Sequence, residues 1–421
     1  MTPPTPGPEA GGLDATMPID ASVADTRVPD LDAGPDVVDA APWPPKGVIV
    51  LGASAEKDAG EPFHFVLTAL DPATGAELPK AREKLTVSSI QYDGARDLWY
   101  VFEAGGADFF PSPTDPFFLH VRRLDTYSGA WTEVQKLALP PAVAFTHFAV
   151  LSNRLVYLAY AVADGSYSTQ LVTLDTSNPA AVSVVDMQPA LQPISGMLGS
   201  PAGALTGGTL TLLGSAPGDG GTFASLTRIR VPNNGPPQID PNPPNPVAGK
   251  RTGSGIGYVS AFVNGTRTSL LVTRPFGPPT VPATLTTYDP VSGAELGSFT
   301  FPFLDGALKP AAFSICDQVA FVVGTNTDTK LYAVPVGQMG QGVSSLATGH
   351  SGQGVYFEPY TRTILTPFSQ GDGYTLTAFA LSRSDAGAFV LSSRTSPEWA
   401  PPADIRPLIV ASRRPDDFRC P

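Results

Sequence analysis

Four histidines and two cysteines limit the metal and nucleophile chemistry this chain can carry. His64, His120, His147 and His350 show neither H-x-x-x-H nor H-E-x-x-H spacing, and Cys316 and Cys420 stand far apart, so no zinc motif is present and no metal is expected. His64 and His120 fall at similar points of two apolar runs and read as partly buried structural residues. Asn326-Thr327-Asp328 and several Asp-Gly pairs offer oxygen ligands, but no Asp-x-Asp-x-Asp-Gly loop appears and ordinary turn formation accounts for them. There is no G-x-S-x-G elbow, and the His350-Ser351 pair reads as a polar loop. Gly105-Gly106 and Gly207-Gly208 open no helix, so no phosphate cradle is indicated. No catalytic residue and no cofactor follow from these types and spacings. The two cysteines permit one disulfide, Cys316–Cys420, in an oxidising compartment; a buried free thiol with an exposed one near the terminus is the alternative.

The elements that must position any site repeat along the chain. Seven times, a β-rich run, a tight polar turn and a second β-rich run succeed one another, as in LTALDPATGAEL (67–78), VRRLDTYSGAW (121–131) and LTTYDPVSGAEL (285–296). In these turns the Asp should bond its own backbone and the Gly should take the left-handed conformation. Asp164-Gly165, Asp219-Gly220 and Asp372-Gly373 suit type I′ hairpins. The second and third runs of each unit are apolar almost without alternation, as expected for strands covered on both faces. A first strand is expected at 84–91 in the second unit and near 196–202 in the fourth. The unit beginning at Gly47 lacks a first strand, and the run from Ile405 to Arg414 can supply it.

Seven four-stranded units after residue 46, each about 54 residues, predict an all-β fold: a seven-bladed β-propeller of four-stranded antiparallel blades, closed by the C-terminal strand completing the first blade. The polar turns resemble those of kelch and quinoprotein-type (PQQ) propeller repeats, in which an Asp, a Gly and a following Trp help lock adjacent blades. Here the second unit carries the set, as Asp125, Gly129 and Trp131. The resemblance implies architecture and no activity.

In such a ring the loops entering the first strands open onto the central channel. In order they present Arg406, Lys84, His147, Ser195, Arg251, Lys309 and His350, a basic set in a chain of only 26 Lys and Arg. This predicts an electropositive mouth for an anionic ligand. Glu358 and Asp317 are the carboxylates nearest to a glycosidase pair, but they are expected on the opposite face.

Residues 1–45 hold eight acids against one base, Arg27, a net −7 of the chain's −12. Rich in Pro, Ala and Asp, they are expected to form a disordered, extended tether ahead of a propeller at 46–421. The segment resembles the acidic tethers of exported bacterial lipoproteins, although the lipidated cysteine is absent. The charge argues against nucleic acid, and no run suits a transmembrane span. The expected function is therefore an exported, non-catalytic binding module, a monomer, with a protein, glycan or small anion as partner. The alternative is a propeller hydrolase or lyase acting on a carbohydrate or ester, its site gathered from several blades.

Overall fold

The computed structural model is all-β. It describes residues 47–55, 64–94, 96–104, 117–139, 144–151, 154–163, 166–175, 178–186, 203–206, 209–218, 221–230, 238–239, 258–264, 267–274, 284–288, 295–301, 307–308, 312–314, 316–325, 329–336, 342–348, 354–370, 373–414 and 420. Among them there is no helix, and the strands form seven antiparallel sheets. The expected tether, residues 1–45, lies outside the described residues.

The first sheet contains β1 (Ile49–Ala55), β2 (His64–Leu70) and β3 (Glu83–Lys84). The second contains β4 (Val87–Asp93), β5 (Leu98–Ala104), β6 (Phe117–Leu124) and β7 (Trp131–Leu139). The third is β8 (Ala144–Leu151), β9 (Arg154–Ala163), β10 (Ser166–Asp175) and β11 (Asn178–Asp186). The fourth is β12 (Gly203–Thr206), β13 (Thr209–Gly218), β14 (Gly221–Arg230) and β15 (Gln238–Ile239), and the fifth β16 (Tyr258–Asn264), β17 (Arg267–Arg274), β18 (Thr284–Tyr288) and β19 (Glu295–Thr300). The sixth is β20 (Ala307–Leu308), β21 (Ala312–Ser314), β22 (Val319–Thr325), β23 (Lys330–Pro335) and β24 (Ser344–Ala347). The seventh is β25 (Tyr356–Glu358), β26 (Thr363–Gln370), β27 (Gly373–Arg383) and β28 (Phe389–Arg394). The last strand, β29 (Ile405–Ser412), returns to the first sheet, whose order is β29-β1-β2-β3.

The register of β29 skips one residue, from Gly52↔Ile409 to Ala53↔Pro407. A proline has no N–H to give a ladder, and an edge strand with a bulge is where it does least harm. Both β20 and β21 pair with β22, so the sixth sheet has five strands rather than four. Pro310, which has no donor N–H, falls between the two pieces in sequence.

The long apolar runs are explained by what covers them. In β1, Ile49 and Leu51 pack with Leu365 and Leu376 of the seventh sheet, while Val50 joins Trp99 and Val101 of the second. In the second sheet, Phe102 and Leu119 turn the other way, onto Leu155, Tyr157 and Val172 of the third. Phe321 and Leu331 of the sixth sheet meet Ile364 and Phe379 of the seventh. Each such buried side chain is worth about 1.5–3 kcal/mol. The first strands of the sheets run beside one another: β29 touches β4 and β25, β4 touches β8, β8 touches β12, β12 touches β16, and β21 touches β25.

The polar turns carry the chemistry that holds sheet to sheet. Asp71 Oδ1 accepts the Ala73 amide at 2.8 Å and Gly75 takes φ +74°. Asp125 Oδ1 accepts the Tyr127 amide at 2.9 Å and Gly129 takes φ +78°. Trp131 Nε1 then donates to the Ala81 carbonyl at 2.8 Å, binding the second sheet to the first. Trp399 Nε1 donates to the Pro72 carbonyl at 3.2 Å, binding the segment after β28 to the first sheet in the same manner.

Candidate functional site

Three described turns between first and second strands end on a non-glycine residue at positive φ: Asp97 (53°), Gln318 (55°) and Arg362 (54°). Each immediately precedes its second strand, β5, β22 or β26. The left-handed conformation costs an L-residue about 1–2 kcal/mol. Bonds inside the turns offset it. Glu358 accepts the amides of Tyr360 (3.0 Å) and Thr361 (2.8 Å), and Ser314 Oγ accepts that of Asp317 (3.2 Å).

Further bonds join these turns across sheets. Arg362 Nη2 donates to Asp317 Oδ1 at 2.6 Å, linking the seventh sheet to the sixth. Ser412 Oγ donates to the Phe357 carbonyl at 2.9 Å, linking β29 to the seventh. Arg413 donates from Nε and Nη2 to the two oxygens of Asp97, each at 2.9 Å, linking the end of β29 to the second. Cys420 is bonded to Cys316, with Cα atoms 5.3 Å apart, and this ties the chain's end to the turn of the sixth sheet.

The linked turns surround a cavity of about 360 Å³, within the range of small-molecule sites. Gln91 and Tyr92 come from β4, Phe313 from β21, Phe357 from β25, Ser412 from β29 and Arg414 from just beyond it, so four sheets contribute. Tyr92 donates its hydroxyl to Asp97 Oδ1 at 2.6 Å, and its ring lies against Trp99 at a centroid distance of 4.7 Å. Burial and the Asp97 bond push the Tyr92 phenol far up, so it is a neutral donor at physiological pH. Burial also pushes the Asp97 carboxyl up, but the Arg413 and Tyr92 hydrogen bonds outweigh it and hold it below the usual value. Glu358, fully buried beneath the same rim, is pushed up by burial against its Thr361 and Tyr360 bonds.

Of the strand-entry residues, Lys84 and Arg406 are described with their side chains, and they stand apart. Lys84 lies on β3, paired with Val66, at the opposite edge of the first sheet from Arg406 on β29. The short pairing of Glu83 and Lys84 with β2 uses up the residues read as the start of the second unit, whose first strand begins at Val87. Arg406 donates Nη1 to the Ala403 carbonyl at 2.6 Å. Arg251, Lys309 and His350 lie outside the described residues, as does the first strand expected at 196–202, and for His147 only the backbone of β8 is described. In the fourth sheet the first strand is β12.

A second ionisable cluster lies on the face of the second sheet. His120, 3% exposed, holds Glu133 Oε2 at 2.5 Å on Nδ1 and Glu103 Oε2 at 2.8 Å on Nε2. Lys136 Nζ reaches Glu103 at 3.1 Å, and Arg122 binds Glu83 of β3. The His120 bond, against some burial, lowers the Glu133 carboxyl; burial raises that of Glu103, but His120 and Lys136 outweigh it. These groups pair with one another, and the cluster ties β3, β5, β6 and β7 together. Among the described residues no group of His, Cys, Asp and Glu is arranged to hold a metal ion.

Sequence reasoning missed the cavity because its lining comes from segments near residues 91, 313, 357 and 412, none of which carries a short motif. The available signal was the recurrence of a polar residue four positions before the second strand's lead-in: Asp93 before Asp97, Ser314 before Gln318 and Glu358 before Arg362.

The fold is all-β with propeller-like neighbours among solved structures. A periplasmic gluconolactonase of Pseudomonas aeruginosa matches at TM-score 0.54 and 17% identity, over 86% of this chain and 98% of that one. A protein described as a 6-phosphogluconolactonase, from Bacteroides uniformis, matches at TM-score 0.52 and 9% identity, over 87% of this chain and 99% of that one. A Lactobacillus plantarum protein matches at TM-score 0.52 and 11% identity, over 87% and 99%. No protein-family model matches the sequence. No curated protein sequence matches it. These neighbours count against the expected non-catalytic binding module and in favour of its enzyme alternative, since two of the three bear lactonase names.

Proposed function

We propose that this protein is a propeller hydrolase that opens a carbohydrate lactone, its site formed by the inner strands of several sheets. The observation that carries the reading is the correspondence, over nearly the whole length of both chains, with a gluconolactonase. The cavity shared by four sheets supplies a place for a small ring. Seven sheets, with first strands adjoining from β12 and β16 round through β8, β4, β29 and β25 to β21, and the return of β29 to β1 support a seven-bladed ring completed by the C-terminal strand.

Water adds to the lactone carbonyl carbon, the ring C–O bond breaks, and a hydroxy acid leaves. Negative charge develops on the carbonyl oxygen, which the Gln91 amide and Arg414 guanidinium can meet from the cavity wall. Tyr92 joins the cavity to the ionised Asp97 through its hydroxyl, a path by which the proton of the attacking water departs and is returned to the ring oxygen as the C–O bond breaks. Polar atoms make up more of the cavity lining than apolar ones, which suits a hydroxylated ring.

Export to the periplasm or cell surface is part of the proposal. Its supports are the periplasmic lactonase neighbour, the Cys316–Cys420 bond and the acidic, proline-rich segment 1–45, which suits a tether. Among the described residues no helix is long and apolar enough to cross a membrane.

A pH-stat measurement tests the activity: acid release from an aldonolactone, against a simple aliphatic ester and a disaccharide. Release above the spontaneous rate from the lactone alone supports the reading. No acceleration with any lactone rejects it.

A further inference from the structure

A phenol has one hydrogen to donate, and that of Tyr92 is directed at Asp97. Tyr92 lines the cavity and donates its hydroxyl to Asp97 Oδ1 at 2.6 Å. A phenol donating in this way keeps only its lone pairs for a second partner. The direction of the bond depends on the state of the carboxyl group. An ionised carboxylate only accepts, whereas a protonated one can donate to the phenol oxygen and free the phenol to donate elsewhere.

What holds Asp97 in one state comes from the other end of the chain. Arg413 sets Nε on Oδ1 and Nη2 on Oδ2, each at 2.9 Å, the two-pronged geometry by which a guanidinium fits a carboxylate. The Arg413 side chain is 11% exposed and its amide donates to the Val48 carbonyl at 3.0 Å, so the cation is well anchored. Other groups surround the pair. Arg123 of β6 acts on Asp97 from further off, Arg96 lies 3.6 Å from Asp93, Tyr360 of the seventh sheet acts on Tyr92 and Arg413, and Arg414 lines the cavity. Arg413 meets both carboxylate oxygens and offsets the burial that would otherwise raise the carboxyl.

We propose that Arg413 is a positioning residue: by holding Asp97 ionised it fixes the Tyr92 hydroxyl on Asp97, so that the phenol oxygen meets the cavity as an acceptor for a water or a ligand hydroxyl. Its consequence for catalysis rests on the lactonase reading, in which the attacking water gives its proton to that oxygen as the phenolic proton moves to Asp97.

The full chain is compared with Arg413→Gln and Arg413→Lys, their folding checked by circular dichroism. Two readouts are followed from pH 3 to pH 8: kcat/KM for an aldonolactone, which reports groups of the free enzyme, and tryptophan emission. Trp99 lies against Tyr92 at a centroid distance of 4.7 Å, and the emission change that Asp97→Asn abolishes belongs to Asp97. In Arg413→Gln the acid limb of kcat/KM and the emission midpoint should both move up by about 1 pH unit or more, and in Arg413→Lys by less, because lysine keeps the charge without the fork. Where Arg413→Gln does not fold, Arg413→Lys carries the test. An emission midpoint that moves in a protein that opens no lactone would support the hold of Arg413 on Asp97 while rejecting the lactonase reading. Lactone hydrolysis whose acid limb, or an emission midpoint that, stays at the wild-type pH in the folded variant would overturn the role of Arg413 and leave the enzyme standing.

Discussion

Arg413 and Asp97 are 316 positions apart in sequence and meet through two nitrogen–oxygen contacts of 2.9 Å. The pair fastens the end of the C-terminal strand to the first turn of the second sheet, and Tyr92 completes it from the cavity side. Because Asp97 remains partly exposed, Asp97→Asn should cost only about 1–2 kcal/mol. The Asp97 carboxyl is held below its ordinary value, so its contribution is present above the unfolded-state value and is lost as pH falls through the folded one. Urea unfolding should separate wild type from Asp97→Asn at pH 7, and the gap should begin to close only as pH falls below about 4.

The Cys316–Cys420 bond closes a segment of 104 residues, which embraces β22 to β29. Closing a loop of about 100 residues removes up to about 4.7 kcal/mol of chain entropy from the unfolded state. The double variant Cys316→Ser, Cys420→Ser should lose about 3–5 kcal/mol, and wild type in strong reductant should match it. Equal thermal unfolding of oxidised and reduced protein would show that the bond contributes nothing.

Gly129 tests the seam between the first two sheets. A Cβ there would come 2.6 Å from Leu78 Cβ, on a backbone at φ +78°. Overpacking adds about 1–3 kcal/mol to the backbone strain, so Gly129→Ala should lose more than 2 kcal/mol and expose Trp131, whose indole faces Ala81. A red-shifted tryptophan emission at unchanged strand content would report the opened seam.

Residues 125–131 were legible in sequence because every part of that turn is local: the Asp accepts from its own loop and the Gly supplies the left-handed φ. The strand pairing of Ile405–Ser412 with β1 was legible too, since the first unit is one strand short. Lys84 was misplaced because two residues of pairing with β2 leave no hydrophobic pattern to read. The turns at Asp97, Gln318 and Arg362 were hidden because non-glycine residues take a conformation usually signalled by glycine. The Tyr92–Asp97–Arg413 set could not be seen, since it joins distant segments through side chains alone.

Glu358 predicts the opposite pH response to Asp97. Burial raises its carboxyl, so the folded protein holds a proton that the unfolded chain releases, and stability falls as pH rises from the unfolded value through the folded one. Glu358→Gln removes the titrating group and keeps one acceptor oxygen, for either the Thr361 or the Tyr360 amide. Its loss of stability between pH 5 and pH 8 should be smaller than that of wild type, read by denaturant midpoints at the two values.

The proposed hydrolysis depends most directly on Tyr92, which lines the cavity and donates a hydrogen bond to Asp97. Tyr92→Phe keeps the ring and removes the hydroxyl. With an aldonolactone substrate, wild type should show saturable hydrolysis above the spontaneous rate, and Tyr92→Phe should lose about 100-fold in kcat with KM within a few-fold. A wild-type protein that hydrolyses no lactone, or a Tyr92→Phe variant as fast as wild type, would contradict it.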